Sequence, residues 1–333
     1  MKKIARFLMF SLLGLLGLLA LLAGLLGYFV YTPEPEEPQL SGKLSEGSIE
    51  MAGLQRSYRT YVPKNLPKGA PLVLVLHGSG EGPQRIRVGT GYGFERLADE
   101  HGFAVAYPKS FAPDWNDCSS IGDNMVDGAS ADDTRFLAAL VDKLIAEIGV
   151  DPARVFSAGV SNGGSMAMRL ALEDPTRYRA VAAVLANVPA PQNFQCKPVA
   201  QTTSVMIMNG TKDPLVPYAG GKVSLFGLFF HSGEVVSSKA SAQYFADRNA
   251  LAGAPVVSLA PAGEGISVEQ ERWSNGGRTD VDLVTIHGGG HGLPQAYSRR
   301  PRLLGPSPMA PDGPAMIWDF FARQRPRIAP RPQ

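Results

Sequence analysis

The stretch Val155-Phe156-Ser157-Ala158-Gly159-Val160-Ser161-Asn162-Gly163-Gly164 decides how the rest of the chain is read. Val155 to Ala158 is a short apolar run with strand character, and Gly163 to Leu172 has helical spacing. Between them lies a G-x-S-x-G pentapeptide. A serine there occupies a tight strand-to-helix turn, its hydroxyl clear of the sheet, and glycines two residues either side let the backbone pass without side-chain clashes. The pentapeptide by itself also fits a Gly-rich turn that merely caps a helix. Its place between a strand and a helix makes Ser161 the candidate nucleophile.

Outward from this point the chain alternates strands and helices. Leu72 to Leu76 is a continuous apolar run ending in His77-Gly78, as a strand buried on both faces reads. Phe103 to Tyr107, Val181 to Leu185, Val205 to Met208 and Val281 to Ile286 read the same way, and Arg56 to Val62 alternates as a half-buried edge strand. Helices are expected at Phe94–His101, Gly163–Leu172, Ala240–Leu251 and Ala315–Phe321. A further helix has Asp132 and Asp133 as its cap and Phe136, Leu137, Leu140, Leu144 and Ile148 as its apolar face. The alternation predicts an α/β fold, a mostly parallel sheet with helices on both faces.

A serine hydroxyl needs a base, and the base needs an orienting group. Asp213 follows the strand-like Val205–Met208 in Asn209-Gly210-Thr211-Lys212-Asp213, and His291 ends the loop His287-Gly288-Gly289-Gly290-His291 after another strand. The chain order is therefore Ser161, Asp213, His291. His287 is the second choice as base, but it lies nearer the strand end. The i, i+4 spacing of His287 and His291 suits a helical zinc site, yet three glycines between them argue against a helix and against a metal. Gly89-Thr90-Gly91-Tyr92-Gly93 lacks the preceding strand a nucleotide loop requires. An oxyanion needs main-chain donors; the N–H of Asn162, next after the serine, and that of Ser79, in His77-Gly78-Ser79-Gly80, are the expected pair.

Composition limits the partners. Hydrophobic residues make up 44% and charged residues 19% of the 333, which excludes a disordered or fibrous chain. A net charge of +2, with Lys2, Lys3 and Arg6 among the positive residues, leaves no basic face for nucleic acid. From Phe7 to Val30 the chain is uncharged, and as a helix this run is about 36 Å long, enough to cross a bilayer core of ~30 Å. Residues 1–31 are read as an uncleaved inner-membrane anchor in preference to a cleaved signal, because the run exceeds a signal core and ends without small residues at a cleavage point. Either reading exports the rest to the periplasm or beyond. Residues 32–46, with Pro33, Pro35 and Pro38, read as a solvated linker, and 47–333 as one catalytic domain. Cys118 and Cys196 permit one disulfide in an exported chain; two free thiols fit the sequence as well.

His77-Gly78, Gly159-Val160-Ser161-Asn162-Gly163-Gly164, Asn209 to Tyr218 and Gly288-Gly289-Gly290-His291 together resemble the polyhydroxybutyrate depolymerase/feruloyl esterase family, the group related to carbohydrate esterase family 1. The resemblance runs from about Ser57 to Phe321. It implies an α/β-hydrolase fold with Ser161, Asp213 and His291 as the catalytic triad. Where family members often carry a tryptophan shortly after the histidine, this chain has Gly292-Leu293-Pro294. The expected activity is hydrolysis of a small or polymeric ester through an acyl-enzyme, without cofactor. A serine peptidase of related fold, and a non-catalytic envelope binding protein on a hydrolase scaffold, are the alternatives.

Overall fold

The fold is organised by one ten-stranded sheet, seen in a computed structural model that describes residues 2–119, 125–126, 129–130, 132–229, 231–263, 265–276 and 279–324. In chain order its strands are β1 (Lys43–Met51), β2 (Leu54–Val62), β3 (Leu72–Leu76), β4 (Ala104–Pro108), β5 (Val155–Val160), β6 (Ala180–Val184), β7 (Ser204–Gly210), β8 (Val256–Pro261), β9 (Ser267–Ser274) and β10 (Asp280–His287). Their spatial order is β1-β2-β4-β3-β5-β6-β7-β10-β9-β8. The six central strands from β4 to β10 run parallel, and antiparallel pairs finish both edges.

The helices are α1 (Lys2–Val30), α2 (Pro83–Gly89), α3 (Gly93–His101), α4 (Asp133–Ile148), α5 (Asn162–Glu173), α6 (Ser238–Arg248) and α7 (Gly313–Ala322). The pleat of β3 shows why its sequence is apolar throughout. Leu72, Leu74 and Leu76 enter one core with Phe136, Met166 and Phe245 of α4, α5 and α6. Val73 and Val75 enter the other with Ile86, Phe94 and Phe321 of α2, α3 and α7. A strand covered on both faces has no polar side to show. Asp132 caps α4 by accepting the Arg135 N–H.

Two parts of the sequence reading change. The Arg56–Val62 strand is not an edge, because Lys43–Met51 pairs along its outer side in full register. Its sequence, Lys-Leu-Ser-Glu-Gly-Ser-Ile-Glu-Met, alternates only weakly, as an edge strand half open to water does. The segment 32–46, expected to be a solvated linker, is also held against the domain before β1 begins within it at Lys43. Glu37 meets Arg87 Nη2 at 2.6 Å, Ser41 N–H donates to Asp99 at 2.6 Å, and Leu40 packs on the second core. The antiparallel pair β8–β9, which finishes the other edge, escaped the sequence reading as well.

Helix α1 stands apart. From Lys3 to Val30 it is apolar and long enough to cross a membrane, and none of its most apolar window is buried against the domain. Its last turn touches the rest of the chain through Arg302, whose guanidinium lies 4.4 Å from the Tyr28 ring centre and donates to the Tyr28 carbonyl at 3.0 Å.

Candidate active site

Strand β5 ends at Val160, and the chain turns abruptly into α5. Ser161 sits in that turn at φ 57°, ψ −124°, a region L-residues avoid and which stores local strain. Its neighbours explain how the turn closes. A Cβ on Gly159 would run into the Gly163 carbonyl, and one on Gly163 would meet the His77 carbonyl at 2.5 Å. Both glycines of the pentapeptide are therefore fixed by backbone approaching backbone. The Ser161 N–H donates to Val184 O at 2.8 Å, tying the turn to the end of β6.

Two loops from the far side of the sheet bring the partners. Asp213 follows β7 and is nearly sealed from water; its Oδ1 accepts the N–H groups of Leu215 and Val216 at 2.8 and 2.9 Å. That leaves Oδ2 for His291 Nδ1–H, at 2.7 Å. His291 Nε2 faces Ser161 Oγ at 3.0 Å and can accept its proton. The histidine is only 4% exposed. Its loop is compact because glycines alone fit: a Cβ on Gly290 would lie 2.6 Å from the Leu304 carbonyl. His291 N–H donates to that same carbonyl at 2.7 Å. The three residues singled out from sequence thus form one hydrogen-bonded line. His287 does not join it. It remains on β10, half-exposed, with Nε2 3.1 Å from Glu269 on the neighbouring strand.

The expected oxyanion donors lie on the same cleft, of about 620 Å³, into which Ser161 and His291 open. Asn162 begins α5, so its N–H stands outside the helical ladder. Ser79 is exposed in the loop after β3. His77 shapes that loop from beneath: fully buried, it donates from Nδ1 to Gly78 O at 2.8 Å and accepts the Ser110 N–H at 3.2 Å. Burial pushes its basicity down, as a neutral ring used only for hydrogen bonding requires.

Sequence reasoning missed the side chains that hold this half of the site. Asn162 was singled out for its amide, yet its side chain is bonded as well: Oδ1 accepts the Trp115 N–H at 2.7 Å and Nδ2 donates to Asp117 at 2.9 Å. Trp115 is completely buried and donates its indole N–H to the His77 carbonyl at 2.9 Å. Cys118 and Cys196 are joined as a disulfide, with Cα atoms 4.8 Å apart. Glu81 reaches back to the Gly78 N–H at 3.3 Å and is paired with Arg300 at 2.8 Å. Burial alone would raise the Glu81 carboxyl, but the Arg300 guanidinium and the Gly78 N–H together hold the acid below its ordinary range. Only the Trp115-Asn116-Asp117-Cys118 run, several polar and aromatic residues after a buried strand, hinted at this network.

A serine at a strained turn facing a buried histidine and an acid held by two amides, on a mostly parallel sheet, is the arrangement of the α/β-hydrolases. Comparison with known proteins agrees. The family model described as esterase PHB depolymerase matches residues 56–211. A relative assigned as an esterase by name, NocK, from Nocardia uniformis subsp. tsuyamanensis, is 30% identical over 288 residues, covering 82% of this chain and 81% of its own. Feruloyl esterase B of Neurospora crassa is 32% identical over 126 residues, 37% of this chain and 41% of the relative. Among solved structures, an acetyl xylan esterase from Aspergillus awamori covers 75% of this chain and 95% of its own with a TM-score of 0.54, at 18% identity, a likeness of fold. The chain belongs to the PHB depolymerase esterase family and is a carboxylic ester hydrolase.

Proposed function

We propose that the chain hydrolyses esters through an acyl-enzyme on Ser161. His291 takes the serine proton as Oγ attacks the ester carbonyl, and returns it to the departing alcohol. Water then attacks the acyl-enzyme with the same histidine as base, releasing the acid. Asp213 keeps the Nδ1 proton in place and offsets the charge on the imidazolium. The N–H groups of Ser79 and Asn162 receive the oxyanion. The observation that carries this reading is the line from Ser161 Oγ to His291 at 3.0 Å and on to Asp213 at 2.7 Å, with the serine held at positive φ. A peptidase reading has no comparable support.

The substrate is a small or polymeric ester, with acetyl and feruloyl esters the first to be tried because relatives carry those names. We further infer that α1 is retained as a membrane span, its basic end on the cytoplasmic side, and that the catalytic domain works outside that membrane. A fluorophosphonate probe tests the chemistry: it should label the protein and fail to label Ser161→Ala, which should also lose turnover of p-nitrophenyl acetate by several orders of magnitude. Comparable turnover in the variant removes the mechanism. Intact mass of the membrane fraction tests the span, since a product beginning near Tyr31 would mean that the helix is cleaved.

A further inference from the structure

A second cavity, of about 340 Å³, lies where α1 joins the domain. Three guanidinium groups, those of Arg299, Arg300 and Arg302, line it beside Tyr31, Thr32 and Ser307, and no carboxylate is among its lining residues. Arg300 is neutralised by Glu81 at 2.8 Å, while its N–H is fixed by Ser307 Oγ at 3.1 Å. Arg299 and Arg302 are exposed and have no carboxylate partner among the described residues. Arg302 is nevertheless positioned, because the ring and carbonyl of Tyr28 hold it against the last turn of α1. The result is a concave, net-positive site beginning one residue beyond the end of an apolar helix.

The depth of this site follows from α1. If Phe7–Val30 crosses the hydrocarbon core, residues 28–31 emerge where headgroups begin, since each polar layer is only about 5–8 Å thick. Tyrosines favour that boundary, and Tyr28 and Tyr31 are placed there. Arginine recognises phosphate oxygens through its planar fork of donors. Basic pockets beside spanning helices bind anionic headgroups.

We propose that Arg299 and Arg302 bind the phosphate of an anionic phospholipid headgroup in this cavity. The proposal rests on the retention of α1 as a span. Helix and headgroup together form two attachments, which fix the rotation of the domain over the bilayer. Arg300 lines both this cavity and the catalytic cleft, so the ester site then opens beside the headgroup layer. Substrate would reach Ser161 along the membrane surface as well as from solution.

The test uses the full chain in neutral detergent micelles, examined by native mass spectrometry. The probes are dihexanoyl phosphatidylglycerol, dihexanoyl phosphatidylcholine and inorganic phosphate. One retained phosphatidylglycerol is expected, with phosphatidylcholine retained far less. R299Q/R302Q should weaken retention by about fivefold for each arginine removed. A circular-dichroism melt of the variant, unchanged from the parent, establishes that the fold is intact. A second pair, Arg299→Lys with Arg302→Lys, should recover part of the binding by charge alone. Equal retention of the two lipids, or equal retention by parent and R299Q/R302Q, overturns the proposal. If inorganic phosphate displaces the lipid at equal concentration, the site takes a free anion and the headgroup assignment falls. The same spectra give the chain mass: a protein starting near Tyr31 means that the tether has failed, whereas full-length protein without bound lipid means that the site has.

Discussion

The two halves of the catalytic cleft are built by opposite means. On the nucleophile side, the segments after β3, β4 and β5 are bound to one another by buried and half-buried polar contacts: Trp115 to His77, Trp115 and Asp117 to Asn162, Arg169 to the Asn116 carbonyl. The Cys118–Cys196 bond adds a covalent tie. On the histidine side, the chain after Asp213 leaves as a hairpin in which Gly221–Lys222 pairs with Glu234–Val235. Val223, Leu225 and Val235 face the cleft, and at the tip Phe226, Leu228 and Phe229 are more than half exposed. On the mechanism proposed above, one side holds the groups that meet developing charge and must not move. The other presents an apolar wall that a substrate's acyl or alcohol part can lie against. Changes on the first side should therefore appear mainly in kcat, and changes on the second in KM.

Ser161 to His291 is the contact between the halves on which the proposed chemistry turns, so breaking it carries the largest effect. His291→Ala should lower kcat/KM for p-nitrophenyl acetate by about 10⁴-fold or more, and Asp213→Asn by a similar order, through loss of the correct tautomer. His287→Ala, four residues earlier and bonded only to Glu269, should stay within about threefold of the parent. Reversed behaviour of the two histidines in steady-state kinetics would assign the base to His287.

The next effect belongs to the nucleophile side alone. The disulfide closes a loop of sequence separation 78, and replacing both cysteines by serine should cost about 2–4 kcal/mol of stability. Because Gln195 N–H also donates to the Cys118 carbonyl at 2.7 Å, the loop carrying Trp115 should loosen with it, lowering kcat more than it raises KM. Urea unfolding and steady-state kinetics measure both. A serine pair as stable as the parent would leave the rigidity of this side to Trp115 and Asn162.

A smaller change tests the apolar wall. Val223→Ala removes two methyl groups from a partly buried position lining the cleft. It should raise KM for p-nitrophenyl butyrate by about fivefold and leave kcat and the acetate KM nearly unchanged. A uniform loss across acyl lengths would mean that the hairpin holds His291 in place and does not contact the acyl chain.

Legibility from sequence follows the same division. Strands β3 to β7 and β10 were readable because both faces are covered, so Leu72–Leu76 has no polar residue and its counterparts keep a mainly apolar run around the few they carry. The positions of Ser161, Asp213 and His291 were readable because each follows such a strand in a turn that contains glycine, and the fold brings the three into one hydrogen-bonded line. β1, β8 and β9 were not, because an edge strand is defined by what it pairs with: Val256, Val257 and Leu259 are exposed apolar residues that periodicity cannot assign to a face. The polar ties of the nucleophile side were hidden for a different reason. Trp115 and Asn162, or Glu81 and Arg300, are far apart in the chain, and no residue of either pair names its partner until the fold opposes them.

Glu81 carries the smallest and most specific expectation. It stands on the nucleophile side, bonded to the Gly78 N–H and to Arg300, and its acidity is strengthened in the folded protein because these partners together outweigh the effect of burial. A depressed folded pKa means that the unfolded chain binds the proton more readily. The contribution of the ionised carboxylate is then fully present above the unfolded value of about 4.3 and is lost as pH falls through the lower folded value. Glu81→Gln removes that dependence while keeping the shape. The parent should therefore melt above the variant at pH 6, and the gap should narrow steadily below about pH 4.3. If instead the two melting curves run parallel from pH 6 to pH 3, the Glu81–Arg300 pair contributes nothing that depends on charge, and the loop bearing Ser79 is held by His77 and Trp115 alone.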